Sequence, residues 1–233
     1  MLAWQQIDTV LLDMDGTLID LHFDNYFWQQ LVPEQWGAAR GLDLASAQQA
    51  LAPVFAGVAG TLNWYCLDHW RRELGLDILA LKRQIVDKIG WRQDAQAFLQ
   101  ALRASGRRCY LFTNAHPDSL ALKLEHTALD RYLDGLYSTH AFGASKEDAS
   151  CWQALQASLP FNAERTLFVD DSPRILHAAR DFGIGHLLGI LNPDSQQPHQ
   201  RMPGLPAISD YRTLLPDLLA NPWVAERIPQ TRG

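Results

Sequence analysis

Cysteine is scarce in this chain of 233 residues, which has only three, Cys66, Cys109 and Cys151. They are scattered, odd in number and without the spacing of a metal-binding pattern, so the sequence argues against a disulfide framework and against a zinc finger. Cysteines of this kind more often fill a core than take part in chemistry. We therefore expect reduced thiols in a cytoplasmic protein.

Long apolar runs and an excess of positive charge are also missing. No stretch approaches the length of a membrane span, and the chain enters a strand near Asp8 without a basic leader, so we expect neither a membrane anchor nor a signal peptide. The net charge of −6 argues against broad attraction to nucleic acid or to an anionic membrane. An acidic protein that handles phosphate needs a metal ion or local basic groups to offset that charge.

Hydrophobic residues make up 47% of the chain and eight residues are tryptophan, which indicates a compact folded protein. Short apolar strands alternate with single helices along most of the sequence. This alternation predicts an α/β fold, a Rossmann-like doubly wound parallel sheet with helices on both faces. The predicted strands are 8–12, 108–112, 136–139, 166–169 and 186–190, and the predicted core helices are 94–104, 118–127, 147–159 and 173–182.

Between Leu21 and Trp91 the alternation is interrupted by a stretch without a convincing strand. Its helical segments are predicted at 26–40, 46–58, 62–74 and 78–89, with breaks near proline and glycine. We expect this insert to form a lid over the strand ends. The predicted organisation is a core domain at 1–20 and 92–220, a helical cap domain at 21–91 and a C-terminal tail at 221–233, with mobile surface at 192–206.

The run Asp13-Met14-Asp15-Gly16-Thr17-Leu18 directly follows the first predicted strand. Open α/β sheets bind ligands at this edge, and Gly16 gives the backbone the freedom to turn both carboxylates toward one site. One carboxylate can then attack while its neighbour handles a proton. A solvated turn explains the same residues, since Asp and Gly are common in turns, and on this run alone the two interpretations have equal weight.

The later strands also end in polar residues that suit phosphate chemistry. Thr113-Asn114 offers a hydroxyl and an amide that can donate hydrogen bonds to an anion, although helix capping explains them as well. Lys146 could neutralise a carboxylate and a phosphoryl oxygen, although a lysine at a helix start is usually solvated. Asp170-Asp171 after a buried run is costly unless it binds a cation, and hard oxygen ligands favour Mg²⁺. Each of these motifs alone has a common structural explanation, but no single explanation of that kind covers all of them.

This set of residues, in this order, resembles the motifs of the haloacid dehalogenase superfamily of phosphatases, with a helical cap inserted after the first strand. The resemblance extends from about Ile7 to Leu219. Several longer stretches are similar to the bacterial GMP/IMP nucleotidases of that superfamily, and two of them lie in the cap, where the superfamily selects its substrates. The stretches are 21–28, 61–68, 113–117, 123–127 and 168–172.

The resemblance implies a phosphatase of purine nucleoside 5′-monophosphates. Asp13 would be the nucleophile that forms an aspartyl-phosphate, and Asp15 would act as acid and then as base. Lys146 would keep Asp13 ionised and oriented. Thr113 and Asn114 would hold phosphoryl oxygens.

The resemblance also implies a Mg²⁺ ion held by the Asp13 carboxylate, the Asp15 carbonyl and Asp171. Many relatives have Gly-Asp-Ser at the metal motif and a further acid three residues after the Ser. This chain has Asp170 at the glycine position and Ile175 at the position of that acid. We therefore predict Asp171 as the direct ligand, with Asp170 binding through water or orienting the ligands, and leave open which of the two touches the metal.

The cap offers aromatic faces on which a purine could stack, with Asn25, Asn63 or Asp24 at its edge. Most of these aromatics are expected to pack the cap instead. They are Phe23, Tyr26, Trp28, Trp64 and Tyr65. We assign Trp64 to the substrate, together with Thr17 of the first motif and His116 beside Thr113-Asn114. Lys123 and His126 fall on one helical face and could reach the substrate, but we expect this face to be exposed to solvent.

Other functions fit the residues less well. A phosphatase or mutase for sugar phosphates or phosphoglycolate could use the same core, but the cap stretches weigh against it. A halide-removing hydrolase is disfavoured because it lacks the acid and base that Asp15 supplies. A signalling receiver lacks the long helical insert, and a non-catalytic binding protein would have lost a key polar group. We expect a small nucleotide as partner, no nucleic acid polymer, no membrane, and a monomer, with a dimer as the alternative.

Overall fold

The computed structural model describes residues 2–223 and has a six-stranded parallel sheet at its centre. The order across the sheet is β3-β2-β1-β4-β5-β6, so the first strand lies between the second and the fourth. The predicted fold class is confirmed, and β6 is a strand that the sequence did not indicate. The strands are β1 Thr9–Leu12, β2 Arg108–Thr113, β3 Gly135–Ser138, β4 Thr166–Asp170, β5 His186–Ile190 and β6 Ala207–Ile208.

The regular structure between 21 and 91 is helical, and these helices form an apolar cluster that includes Phe23, Phe27 and Trp70 and that Leu122 of the core joins. This separate cluster supports the predicted cap, whose domain boundaries stay a prediction. A π-helical turn, Phe27–Leu31, joins the first two helices, and a 3₁₀ turn, Val86–Lys88, ends the insert. The helices are α1 His22–Tyr26, α2 Val32–Ala38, α3 Leu44–Ala56, α4 Leu62–Tyr65, α5 Leu67–Leu74 and α6 Ile78–Arg83.

Apolar clusters cover both faces of the sheet. Val10 and Leu12 pack on one face and Leu11 on the other, because successive side chains of a strand point in opposite directions. Burial on both faces explains why the strands are continuous apolar runs in the sequence. The helices of the core are α7 Ala95–Ala104, α8 Pro117–Thr127, α9 Ala149–Ser158, α10 Pro173–Phe182 and α11 Leu215–Ala220. The first face is covered by α7, α8 and α11, and the second by α9 and α10.

Two of the four cap helices are shorter than the sequence predicts. The predicted helix 62–74 is interrupted at Cys66, whose backbone is extended with φ −87° and ψ 111°. The indole of Trp70 donates to the Trp64 carbonyl at 2.7 Å. In an unbroken helix this carbonyl would accept a hydrogen bond from a backbone N–H one turn later. The predicted helix 78–89 ends at Arg83 as an α-helix.

The segment 192–206, predicted as mobile surface, lies mostly at the surface, and side chains within it also contact the cap and the core. Asp194 is buried and accepts a hydrogen bond from Asn25 of the cap at 2.7 Å. The Gln200 side chain donates to the carbonyls of Asp171 and Ile190. A composition rich in Pro, Gln and Gly does not reveal such contacts. Most of the predicted tail, from 224 onward, lies outside the described residues.

Two adjacent connections hold the cap above the carboxyl end of β1. The Asp20 N–H donates to the Gly90 carbonyl at 2.9 Å, and the Arg92 N–H donates to the Leu18 carbonyl at 2.9 Å. The chain therefore leaves and re-enters the core at one place. Among residues 2–223, none of the helices combines the length and the apolar character that crossing a bilayer requires.

Candidate active site

The strand order runs outward from β1 in both directions, through β2 on one side and β4 on the other. Doubly wound sheets bind ligands at such a point, outside the carboxyl ends of the strands. Asp13 follows β1, and its N–H donates to the Val169 carbonyl of β4 at 2.9 Å. Thr113 ends β2 and Asp170 ends β4. All of these polar side chains are buried, with Asp13 exposed by 6%, Thr113 by 1% and Asp170 by 0%. The sheet therefore brings the predicted strand-end residues together.

Lys146 supplies a buried positive charge at this edge. Its ammonium donates to Asp13 Oδ1 at 2.6 Å and to Asp170 Oδ2 at 2.7 Å. Its backbone is fixed on both sides, because its N–H donates to Asn114 Oδ1 at 2.9 Å and its carbonyl accepts from Trp152 Nε1 at 2.7 Å. Burial alone would lower the pKa of Lys146, but the two carboxylates raise it, so the group stays charged.

Three carboxylates crowd around this single ammonium. One oxygen each of Asp13, Asp170 and Asp171 lies within 4.8 Å of the others. Burial raises the pKa of Asp13 to about 6, and burial together with Asp170 and Asp13 raises the pKa of Asp171 well above its ordinary value. A divalent cation would relieve this excess of negative charge, and oxygen donors suit a hard cation.

The two acids at the end of β4 differ in what they already bind. Asp170 uses both oxygens, because Oδ2 accepts from Lys146 and Oδ1 accepts from the Ser172 N–H at 2.8 Å. Asp171 accepts a hydrogen bond from the Gln200 side chain at its main-chain carbonyl. Within residues 2–223 its carboxylate has no hydrogen-bond partner and is therefore free. A β-carbon at Gly16, which has φ +78°, would lie 2.6 Å from Asp171 Oδ2. Glycine at this position therefore allows the Asp171 carboxylate to approach the first motif.

Asp15 is held by a second buried lysine. The ammonium of Lys123, on α8, contacts Asp15 Oδ1 and Asp24 Oδ2, and Lys82 of α6 donates to Asp24 Oδ1 at 2.7 Å. Lys123 is 1% exposed, so the expectation that it faces solvent was wrong. Burial raises the pKa of Asp15 to about 6, whereas Lys123 and Lys82 lower the pKa of Asp24 against the effect of its burial. Because Asp24 and Lys82 belong to the cap, this chain of charges joins cap and core.

Glu147 makes another link between the cap and the core. Its Oε1 accepts from the Tyr65 hydroxyl at 2.9 Å, and its Oε2 accepts from Asn114 Nδ2 at 3.1 Å. The Asn114 amide is therefore held at both ends, since its oxygen accepts from the Lys146 N–H. Thr113 Oγ1 accepts from the Ala115 N–H at 3.1 Å, which leaves its hydroxyl hydrogen available to an anion.

A cavity of about 370 Å³ separates the charged floor from the cap. The floor includes Asp13, Asp15 and Lys146, and the opposite wall is aromatic. Trp64 meets Phe55 and Trp70 edge to face with ring centroids 5.9 Å apart in both pairs, so packing fixes the wall. The aromatic residues of the wall are Trp28, Phe55, Trp64 and Tyr65. A volume of this order suits a small organic molecule.

Most side chains assigned to the substrate from the sequence line this cavity, namely Thr113, Asn114, His116 and Trp64. His116 precedes α8, where its Nδ1 accepts from the Asp118 N–H at 3.2 Å. Thr17 is completely buried and is not among the described residues that line the cavity. A contact between the Thr17 side chain and a substrate therefore has no support.

Sequence reasoning missed Lys82 and Glu147. Glu147 directly follows Lys146, and this position next to a motif residue could have marked it as part of the site. Lys82 lies in a helix of the cap, where no motif marks it. Asp24 and Lys123 were considered for other roles, and both lie in stretches similar to the nucleotidases. Their contact depends on the cap and the core meeting, which no local pattern indicates.

The family model of the haloacid dehalogenase-like hydrolases matches residues 7–183 of the chain. GMP/IMP nucleotidase YrfG of Escherichia coli (strain K12) is 52% identical over 218 residues, which cover 94% of this chain and 98% of that protein. The nucleotidase of the same name from Shigella flexneri matches with the same identity and coverage.

Solved structures of low sequence identity share the fold. A HAD phosphatase from Thermococcus onnurineus has a TM-score of 0.77 at 20% identity, with 93% of this chain and 100% of that chain covered. The HAD hydrolase YfnB from Bacillus subtilis, solved bound to magnesium, has a TM-score of 0.65 at 17% identity, with 91% and 98% covered. At these identities the likeness concerns the fold alone.

Proposed function

The chain belongs to the haloacid dehalogenase-like hydrolases, and from that premise we propose that it hydrolyses GMP and IMP to nucleoside and phosphate. The observation that carries the proposal is a carboxylate, Asp13, held by the buried ammonium of Lys146 at the floor of a cavity with an aromatic wall. The nucleotidases that are 52% identical over almost the whole chain support the choice of a purine nucleoside 5′-monophosphate.

Asp13 is the nucleophile of the proposed reaction. Its Oδ2, the oxygen that does not bind Lys146, forms a bond to phosphorus while the bond from phosphorus to the nucleoside 5′-oxygen breaks. The product on the protein is an aspartyl-phosphate. Lys146 holds Asp13 in orientation and offsets the repulsion between carboxylate and phosphate. With a pKa of about 6, Asp13 is mostly ionised at neutral pH.

Asp15 moves the proton in both halves of the reaction. It protonates the 5′-oxygen as the nucleoside leaves, and it then takes a proton from the water that hydrolyses the aspartyl-phosphate. A pKa of about 6, raised by burial, is close enough to neutrality for a carboxyl group to donate and to accept. Lys123 positions Asp15 through its contact with Oδ1.

Mg²⁺ is the cofactor that fits the acid cluster, which has three carboxylate oxygens within 4.8 Å and too little positive charge around them. Asp13 and Asp171 would hold it with their carboxylates and Asp15 with its carbonyl. Asp170, whose oxygens are already hydrogen-bonded, would orient Lys146 or bind through water. When bound, the ion supplies positive charge that neutralises the phosphoryl oxygens.

The rest of the cavity has groups for the remainder of the nucleotide. Thr113 and Asn114 donate to phosphoryl oxygens, with His116 beside them. The purine stacks on the aromatic wall at Trp64, because a flat ring system can contact an aromatic face over its whole area. A sugar phosphate or phosphoglycolate, the alternative substrate class, has no flat ring for this wall.

The decisive experiment is a panel of phosphate monoesters assayed for phosphate release with and without Mg²⁺. We expect hydrolysis of GMP and IMP that needs Mg²⁺ and that falls by about 10⁴-fold or more in Asp13→Asn, because the nucleophile is lost. Asp181→Asn is a matched control, since that carboxylate is 76% exposed on α10.

Each part of the proposal can fail separately. Turnover retained in Asp13→Asn would remove the covalent mechanism. Cleavage of sugar phosphates without cleavage of purine monophosphates would overturn the substrate and keep the phosphatase. The proposed reaction requires no nucleic acid polymer and no membrane, while the cytoplasmic location and the monomeric state stay predictions.

A further inference from the structure

A second group of metal-ligating side chains lies apart from the acid cluster, where the cap meets the core. One ligand atom each of Cys66, His116 and His140 lies within 4.8 Å of the others. Cys66 is the extended residue between α4 and α5 of the cap, whereas His116 precedes α8 and His140 follows β3 in the core. Three distant parts of the chain build this group, so the spacing of the cysteines gives no sign of it.

The core holds both histidines in place. His116 caps α8 through the hydrogen bond from the Asp118 N–H to its Nδ1. His140 lies in the 3₁₀ turn Thr139–Ala141, where its N–H donates to Ser138 Oγ at 3.3 Å. The two imidazole rings meet edge to face with centroids 4.9 Å apart. A pair of ligands that is already ordered reduces the entropy lost on binding.

One nitrogen of this group has no partner. His140 Nε2 is buried and makes no hydrogen bond within residues 2–223. A buried nitrogen of this kind is costly unless something pairs with it, and the lone pair of a neutral imidazole can bind a metal. Cys66 is a free, half-buried thiol.

Carboxylates stand behind His116 on both sides of its ring. Asp68 Oδ2 lies 3.7 Å from Nε2, and Asp118 Oδ2 lies 3.7 Å from Nδ1. When Nε2 binds a metal, the imidazole proton lies on Nδ1, which then donates to the Asp118 carboxylate instead of accepting from the Asp118 N–H. A carboxylate in that position orients metal-binding histidines and raises their basicity.

We propose that Cys66, His116 and His140 bind a transition-metal ion, Zn²⁺, with water in the fourth position. One thiolate and two imidazoles suit Zn²⁺ and not Mg²⁺, whereas the oxygen-only acid cluster has the opposite preference. On binding, the Cys66 thiol releases its proton to solvent and the sulfur donates an electron pair to the metal. The two sites therefore select different ions by the chemistry of their donors.

The position of the site gives it a consequence for cap movement. Cys66 belongs to the cap and both histidines belong to the core, so a bound ion fastens one to the other. His116 also lines the substrate cavity. Zn²⁺ should therefore slow the opening of the cap and the exchange of substrate and product.

The test uses Co²⁺ as a spectroscopic probe on the full-length protein. A thiolate bound to Co²⁺ gives an intense charge-transfer absorption that carboxylate ligands do not give. We expect this band at one equivalent in the wild type and its loss in Cys66→Ser, with Zn²⁺ affinity lowered by at least about tenfold. His140→Asn should also lose the band. Cys109→Ser is the matched control, because Cys109 is a buried cysteine on β2 whose thiol donates to the Arg107 carbonyl at 3.6 Å.

Thermal unfolding shows whether each variant is folded, so a lost band can be assigned to a lost ligand. A wild type without the band, or a band that persists in folded Cys66→Ser, would overturn the proposed site. With saturating Mg²⁺, Zn²⁺ should inhibit turnover of the wild type at a concentration about tenfold lower than that needed for Cys66→Ser. Equal inhibition of both proteins would overturn the link between the site and cap movement. The absorption measurement does not depend on the substrate.

Discussion

The core half and the cap half of the site are both organised by buried lysines, but they balance charge differently. In the core half, the single ammonium of Lys146 meets the carboxylates of Asp13, Asp170 and Asp171. One ammonium cannot balance three buried carboxylates, so negative charge remains without a partner. Burial and the neighbouring acids therefore raise the pKa of Asp171. A bound cation would balance the negative charge of the core half.

The cap half is balanced within itself. Two ammonium groups, Lys123 and Lys82, meet two carboxylates, Asp15 and Asp24, in one continuous network. This network forms only while the cap helices α1 and α6 face α8 of the core. The orientation of Asp15 therefore depends on where the cap lies.

The comparison teaches that a lysine buried between two aspartates can serve two purposes. Where acids are in excess, as around Lys146, the group would attract the proposed metal and phosphate. Where charges are equal, as around Lys123, the group fixes the position of Asp15, the proposed proton-transfer residue. Buried pairs of either kind are strongly coupled, so removing one member leaves a costly unpaired charge.

The largest effect is expected from breaking the core half. In Lys146→Gln, three crowded carboxylates lose their ammonium, and the phosphoryl group loses a positive charge. We expect kcat for GMP to fall by at least about 10³-fold, measured by phosphate release at saturating Mg²⁺. Lys88→Gln, at a half-exposed cap lysine, is the control and should keep wild-type turnover. A Lys146→Gln protein with a tenth of the wild-type kcat would contradict this account.

Breaking the cap half should cost stability. In Lys123→Met, Asp15 and Asp24 lose the ammonium between them while both stay buried near each other. We expect the free energy of unfolding, measured by urea titration, to fall by about 3 kcal/mol. Lys88→Met is again the control, and a loss below about 1 kcal/mol for Lys123→Met would show that the network contributes little.

The smallest effect concerns pH and the metal. Burial raises the pKa of Asp13 from 3.8 to about 6 in the folded protein, and that of Asp171 is raised as well. The contribution of Asp13 to stability is therefore present below about pH 4 and is lost as the pH rises through about 6, and the contribution of Asp171 is likewise lost as the pH rises. Mg²⁺ competes with protons for these oxygens, so its increase of Tm should be about 2–4 °C larger at pH 7 than at pH 5.

Asp171→Asn provides the control for this measurement, because it removes one of the oxygens for which Mg²⁺ and protons compete. In that variant the increase of Tm should be small at both pH values. Asp24 of the cap half should not change the difference in Tm increase between pH 5 and pH 7. Lys123 and Lys82 lower the pKa of Asp24, so its contribution to folding stability is lost only as the pH falls below 3.8. Equal increases of Tm in the wild type at pH 5 and pH 7 would contradict the metal assignment.

The sequence predicted the elements of both the core and the cap closely, except for β6 and for the interruption at Cys66. The observed β2 and β4 include Thr113 and Asp170, one residue beyond the predicted strand ends, and β5 matches its prediction. In the cap, the interruption at Cys66 was missed because the residues around it favour a helix. Its cause is the hydrogen bond from the Trp70 indole to the Trp64 carbonyl, which forms only when the cap is packed.

The sequence by itself determined which residues stand at the strand ends, because a strand buried on both faces must be an apolar run whose next residue lies at the sheet edge. Only the tertiary structure decided which lysine meets which acid and which cysteine meets the histidines. Lys123 is buried because the cap lies on α8, and Cys66 approaches His140 because the junction of α4 and α5 lies beside the turn that follows β3. Such pairings depend on the docking of segments far apart in the chain, where local patterns carry no information.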